Sequence, residues 1–217
     1  DGEKTANRVA GLGPDRRIPD HLRVVFTSGV TLETAGSQSV TATDTATSIT
    51  GLQTVQVDPA AATSLAIVTA AQTVTAGLCS TVVTVVSQDA FGNASGVAAA
   101  TTVDLTSNSG SLLFYSDASC TSSITSVLIA LSGTTASFYF DDTTAGTPTV
   151  TVTDAGAVLT ADAQLETIDP AVASNLVVSG ITDPLTAGVA SDVTVTAKDE
   201  FGNVVTGYVG TVAFTSS

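Results

Sequence analysis

The sequence predicts an all-β chain of tandem β-sandwich modules, and two observations carry that prediction. One is a series of short Val/Thr-rich stretches in which apolar and small polar residues alternate, the period-2 pattern of a strand with one buried face. The other is a long internal repeat. Asp89-Ala90-Phe91-Gly92-Asn93 returns 110 residues later as Asp199-Glu200-Phe201-Gly202-Asn203, and Thr34-Ala35-Gly36 returns at the same offset as Thr144-Ala145-Gly146. Asp58-Pro59-Ala60 and Thr75-Ala76-Gly77 return 111 residues later as Asp169-Pro170-Ala171 and Thr186-Ala187-Gly188. A period of that length exceeds a solenoid unit and equals a small domain, so the modules are beads rather than coils of one superhelix.

Composition points the same way. The 217 residues are 43% apolar but only 5% aromatic, with no Met and no Trp. The core must therefore be Val, Ile, Leu, Ala and a few Phe, a mixture that favours strands over helices. Six basic against 20 acidic residues give a formal charge of −14. That balance argues against nucleic acid as a partner, because phosphate binding needs clustered Lys and Arg, and against anionic membranes for the same reason. The acidity reads as solubility and self-repulsion of an exposed surface. No apolar run is long enough to span a bilayer, no signal peptide is visible, and a chain that does not start with Met reads as a piece of something longer.

Taken in order, residues 1–23 do not match the rest. They hold five of the six basic residues and the one histidine, His21, and their Gly and Pro break any periodicity, so a poorly ordered leader is expected. Residues 24–58 carry the closing strands of a partial unit, 59–169 a complete unit, and 170–217 the opening strands of a third. Within the complete unit the candidate strands are 64–70, 81–88, 101–107, 112–115, 124–130, 136–140, 149–153 and 161–168. Turn signals such as Thr75-Ala76-Gly77, Asn108-Ser109-Gly110 and Asp154-Ala155-Gly156 separate them. Seven or eight short strands in about 100 residues, with no helical periodicity, indicate an immunoglobulin-like β-sandwich. Phe138 and Phe140 flank Tyr139 in one strand, so the two Phe should face the core and Tyr139 the outside.

The run Pro170 to Val178, the turn Thr186-Ala187-Gly188, the strand from Val193 to Asn203 and the closing Thr211 to Ser217 resemble the bacterial Ig-like repeats of invasin- and intimin-type surface proteins. The resemblance extends over roughly residues 24–217, and it departs in that the complete unit adds a cysteine pair and the Phe/Tyr-rich segment 136–140. It implies a secreted or cell-surface bacterial protein in which such modules serve as a stalk, spacer or adhesive array with weak multivalent binding to a host or surface protein or glycan. The alternatives are accessory modules of a secreted enzyme that bind carbohydrate or protein, and a self-assembling surface filament or layer.

No catalytic constellation is present: Ser and Thr occur without a base beside them, and no Gly-rich loop is placed to cradle phosphate, so the chain is expected not to be an enzyme. Cys79 and Cys120, too few for a four-ligand zinc site, are expected to form a disulfide closing a 41-residue separation. Asp58, Asp89 and Asp154 should converge at one module junction and Asp169 and Asp199 at the next, where carboxylates and carbonyls would suit Ca²⁺. Asx-turns in solvent are the favoured alternative, since no dense D-x-D-x-D loop is present. Phe91 and Phe201 are expected to plug the sandwich ends beneath the neighbouring module, with the Phe and Asp of each corner setting the angle and stiffness between beads. Asn93-Ala94-Ser95 matches a glycosylation sequon that a bacterial chain would rarely use. The partial units also raise head-to-tail self-association by strand complementation.

Overall fold

The computed structural model describes residues 29–216. The expected leader, residues 1–23, lies outside them, as do the first residues of the leading partial unit. Among the described residues there is no helix. The strands gather into several sheets, none closed into a barrel, as β-sandwich modules require.

The first partial unit is a hairpin of β1 (Gly36–Thr43) and β2 (Thr50–Val57), paired antiparallel along their full length. Its turn is organised by Asp44, whose carboxylate accepts from the Ala46 N–H at 2.9 Å and from the Thr47 hydroxyl.

The complete module follows. In chain order its strands are β3 (Ser64–Ile67), β4 (Thr73–Thr75), β5 (Val83–Gln88), β6 (Thr101–Ser107), β7 (Leu113–Tyr115), β8 (Ser123–Ile124), β9 (Ser126–Ile129), β10 (Thr135–Asp141), β11 (Thr149–Asp154), β12 (Asp162–Leu165) and β13 (Thr167–Asp169). One sheet has the order β3-β5-β10-β7-β8 and the other β12-β11-β6-β9. Alternation puts Val83 and Val85 of β5 and Phe138 and Phe140 of β10 inward from the first sheet. Val103 and Leu105 of β6 and Val150 and Val152 of β11 come from the second, and all of these are buried. Phe114 stands edge-to-face on Phe138 with ring centroids 5.6 Å apart, while Tyr139 between the two Phe is only half-buried. A core of branched aliphatics plus three Phe fills the space between the sheets without Met or Trp.

Three details depart from the strand boundaries that alternation predicts. Thr73–Thr75, outside every candidate strand and running into the Thr75-Ala76-Gly77 turn, forms β4, which pairs in parallel with β13. The expected strand over 124–130 divides into β8 and β9, which belong to opposite sheets. The expected strand over 161–168 divides at Glu166. The cause of the last break is polar: the buried Glu166 carboxylate accepts from the Gln72 N–H at 2.5 Å and from Gln164 Nε2 at 2.7 Å. It satisfies the chain between β3 and β4 at the place where that segment leaves one sheet and joins the other.

The third unit is represented by β14 (Asn175–Ser179) and β15 (Thr194–Lys198), paired antiparallel. Their register reproduces that of β3 and β5: Ser64 faces Gln88 as Asn175 faces Lys198. The single bridge after each pair, Gln88 to Ala94 and Lys198 to Val204, also repeats. With no opposing sheet among the described residues, Leu176 is 42% exposed where its counterpart Leu65 is 3% exposed.

Candidate inter-module interface

Each D-x-F-G-N corner is built around its aspartate. Asp89 is buried and its Oδ1 accepts from the N–H of Phe91 and of Asn93, both at 2.9 Å. Its Oδ2 accepts from the Ala60 N–H at 2.9 Å and from Asn93 Nδ2 at 2.9 Å. Asp199 repeats the set: Oδ1 takes the N–H of Phe201 and of Asn203, and Oδ2 takes the Ala171 N–H and Asn203 Nδ2. The corner, the linker after Pro59 or Pro170 and the Asn side chain are thus tied to one carboxylate. Burial pushes the Asp89 carboxyl up, but the bonds from the Asn93 amide and from the N–H groups of Asn93, Phe91 and Ala60 outweigh it and hold the pKa below the ordinary value. Asp199 shows the same balance, with burial opposed by the Asn203 amide and the N–H groups of Ala171, Asn203 and Phe201.

The asparagine so held reaches into the preceding module. Asn203 Nδ2 donates to the Thr143 carbonyl at 2.9 Å, and Asn203 Oδ1 accepts from the Ala145 N–H at 3.0 Å. Asn93 does the same one junction earlier, donating to the Glu33 carbonyl at 2.7 Å and accepting from the Ala35 N–H at 2.9 Å. A primary amide can donate and accept at once, so it closes a two-bond ring with a backbone carbonyl and the N–H two residues further on. The receiving stretch is the Thr-Ala-Gly turn repeated at residues 34–36 and 144–146.

Phe201 completes the second junction. Its ring lies over Gly77, whose φ is +78° and where an added Cβ would collide with the ring. Gly77 therefore serves twice, giving the turn its left-handed residue and giving the aromatic a flat seat. The seat is fixed to the clasp, because the Gly77 N–H donates to the Asp142 carbonyl at 2.9 Å. Asp142 is itself buried: its Oδ1 accepts from the Ser111 hydroxyl at 2.5 Å and the Thr144 N–H at 2.9 Å, while Oδ2 has no partner among the described residues. Two residues beyond Gly77, Cys79 is joined to Cys120 in a disulfide. Phe91 and Phe201 are exposed alike, at 43% and 41%, and an open cavity of about 380 Å³ lies beside Phe91, lined by residues 34–36 and 91–94.

The acidic residues are distributed differently from a cation cage. Asp58 and Asp169 are exposed. Asp154 is buried and turns its carboxylate onto the N–H groups of Gly156, Val158 and Leu159 at 2.9 to 3.0 Å, organising its own loop. Among the described residues no three of His, Cys, Asp and Glu form a group that could hold a metal ion. Sequence patterning points to Asp89, Asp199, Phe91 and Phe201 but misses Asn93, Asn203 and Gly77 as the residues that reach across or receive. The available signal is that Asn closes both corners and that a Thr-Ala-Gly turn recurs at matching offsets.

No family model matches the sequence, and no curated protein matches it. Solved structures similar to it include domains 4-9 of the surface layer protein SbsC, at 16% identity and TM-score 0.35 over 82% of this chain. A glycosyl hydrolase family 2 member from Bacteroides cellulosilyticus is similar at 13% identity and TM-score 0.41 over 65% of it. InvD of Yersinia pseudotuberculosis is similar at 16% identity and TM-score 0.37 over 84% of it. The chain spans 26%, 18% and 57% of those three chains.

Proposed function

We propose that this chain is a non-enzymatic structural segment of a secreted or cell-surface protein, in which Ig-like modules are clasped end to end into a stalk of defined geometry. The observation that carries the reading is the duplicated clasp: the same Asp holds the same Asn against the same Thr-Ala-Gly backbone at two successive junctions. A flexible tether would have no use for a buried, oriented amide at each joint, whereas a spacer that must hold a distance or direction requires one. The Cys79–Cys120 disulfide supports an oxidising compartment. Repetition at fixed spacing would also let weakly binding exposed faces act together, the adhesive variant of the same role.

The test is Asn203→Ala, read by residual dipolar couplings or small-angle scattering. Loss of the amide should leave the complete module's own fold and melting behaviour unchanged while widening the distribution of angles between it and β14–β15. An unchanged distribution would remove the clasp, and with it the stalk reading.

A further inference from the structure

The two ends of the Cys79–Cys120 disulfide are held very differently. Around Cys79 the chain is bonded to the body of the complete module. The Ala76 N–H donates to the Asp169 carbonyl at 2.8 Å, the Gly77 N–H to that of Asp142 at 2.9 Å and the Ser80 N–H to that of Phe140 at 2.8 Å. The Ser80 hydroxyl oxygen accepts from the Phe140 N–H at 2.9 Å. This wall forms without a cysteine: the repeat offset places Ala190 where Cys79 stands, yet Gly188 has φ +80° against +78° at Gly77, and Val189 closes its turn onto Thr186 as Leu78 does onto Thr75.

Around Cys120 the chain is bonded to itself. In the loop from Ser116 to Ser122, which joins β7 to β8, the Asp117 carboxylate accepts from the N–H groups of Ser119, Thr121 and Ser122 at 2.8 to 3.2 Å. The Asp117 carbonyl accepts from the Cys120 N–H at 3.1 Å, and the Ser116 N–H donates to the Ser122 carbonyl at 3.0 Å. Among the described residues, the covalent or polar contact that leaves 117–121 for the rest of the module runs through Cys79, bonded to Cys120 and 4.0 Å from the Asp117 carbonyl. Cys120 also has φ +51°, a left-handed conformation that a residue with a Cβ adopts at a cost. The loop is shaped by its own aspartate and fastened at one point.

Tyr115, next to this loop, is covered. Leu113 and Tyr115 share the face of β7 opposite to the buried Phe114, yet Leu113 is 52% exposed and Tyr115 8%. The Tyr115 hydroxyl donates to Asp141 Oδ1 at 3.2 Å. Burial, the charge of Asp141, the hydrogen bond to it and the charge of Asp117 in the loop together raise the phenol's pKa above its ordinary value.

We propose that the loop 116–122 is a redox-fastened lid over Tyr115, closed while Cys79 and Cys120 are joined and released by a dithiol. Both cysteines are half-buried, within reach of a small reductant. A thiolate of the dithiol attacks one sulfur and breaks the S–S bond, and its second thiol resolves the mixed disulfide. Two electrons and two protons end on Cys79 and Cys120, and the reductant leaves as its own disulfide. The wall around Gly77 stays in place, because its bonds to Asp142, Phe140 and Asp169 do not pass through the disulfide. Release uncovers Tyr115 and Asp141 beside Tyr139, its partner across β7 and β10.

The test is independent of the stalk reading, since it follows one side chain within one module. The tyrosines are Tyr115, Tyr139 and Tyr208, and nitration by tetranitromethane, located by peptide mapping, ranks their accessibility. In the disulfide-bonded chain Tyr115 should react far more slowly than Tyr208, which is 43% exposed. In Cys79→Ser with Cys120→Ser, which has no thiol to consume the reagent, Tyr115 nitration should rise by about tenfold or more. Amide hydrogens of the loop should lose protection there, while those of β6 and β11 keep it. Wild-type chain reduced and then reoxidised should return to the slow rate. Unchanged Tyr115 nitration in the double variant would overturn the proposal. Loss of protection throughout β6 and β11 would overturn it too, making the disulfide a brace of the whole module rather than the fastening of a lid.

Discussion

At the scale of single residues, Asp199 and Asn203 play complementary parts, the carboxylate fixing the amide and the amide crossing the junction. The carboxylate is sensitive to acid in a definite direction. Burial alone would favour its neutral form, yet four N–H donors favour the anion more strongly and depress the pKa. A depressed folded-state pKa contributes stability that is fully present above the unfolded value, about 3.9, and is lost as pH falls through the lower folded value. The junctions should accordingly hold from neutral pH down to about pH 4 and loosen only below it. The Asn93 and Asn203 side-chain amide resonances, followed by NMR during acid titration, should move together there, and movement near pH 6 would contradict this account. The two D-x-F-G-N corners were legible from the sequence because the same five-residue pattern returns at a 110-residue offset. The reach of Asn93 was not, because an Asn that closes a turn and an Asn that reaches out of it are written identically.

At the scale of elements, alternation located nearly every strand of the complete module, since period-2 patterning reports which side chains are buried. It does not report which neighbour supplies the hydrogen bonds. That is why the division of 124–130 between two sheets was hidden, and why Thr73–Thr75, running into a Thr-Ala-Gly turn, was not among the expected strands. The cysteine pair was legible from its placement within a single module. It ties the loop after β7 to the segment between β4 and β5, next to the Gly77 seat. Closing a separation of 41 residues restricts the unfolded chain by roughly 4 kcal/mol. Cys79→Ser with Cys120→Ser should therefore lower the stability of the complete module by up to that amount in urea titration, and a wild-type protein should show the same loss when reductant is added. Equal midpoints with and without reductant would mean that the reduced chain keeps the loop closed by other contacts.

At the scale of the whole molecule, the proposed stalk would draw its stiffness from hydrogen-bonded corners whose acceptors are already in use. Asp89, Asp154 and Asp199 each spend their carboxylate oxygens on N–H donors, so a divalent cation would have to displace them. The melting temperature should be the same in about 1 mM Ca²⁺ and in chelator, and a rise of several degrees with Ca²⁺ would restore the cation as a component of the joints. The parallel pairing of β4 with β13 then acquires a mechanical meaning. The chain enters the complete module just before β3 and β4 and leaves it from β13, so a pull along the array draws these two strands in opposite directions along their shared axis. Because they run parallel, the ladder between them is loaded in shear: its bonds share the force at once instead of opening one after another from an end. A module joined to its neighbours through this pair resists tension at the point where tension arrives.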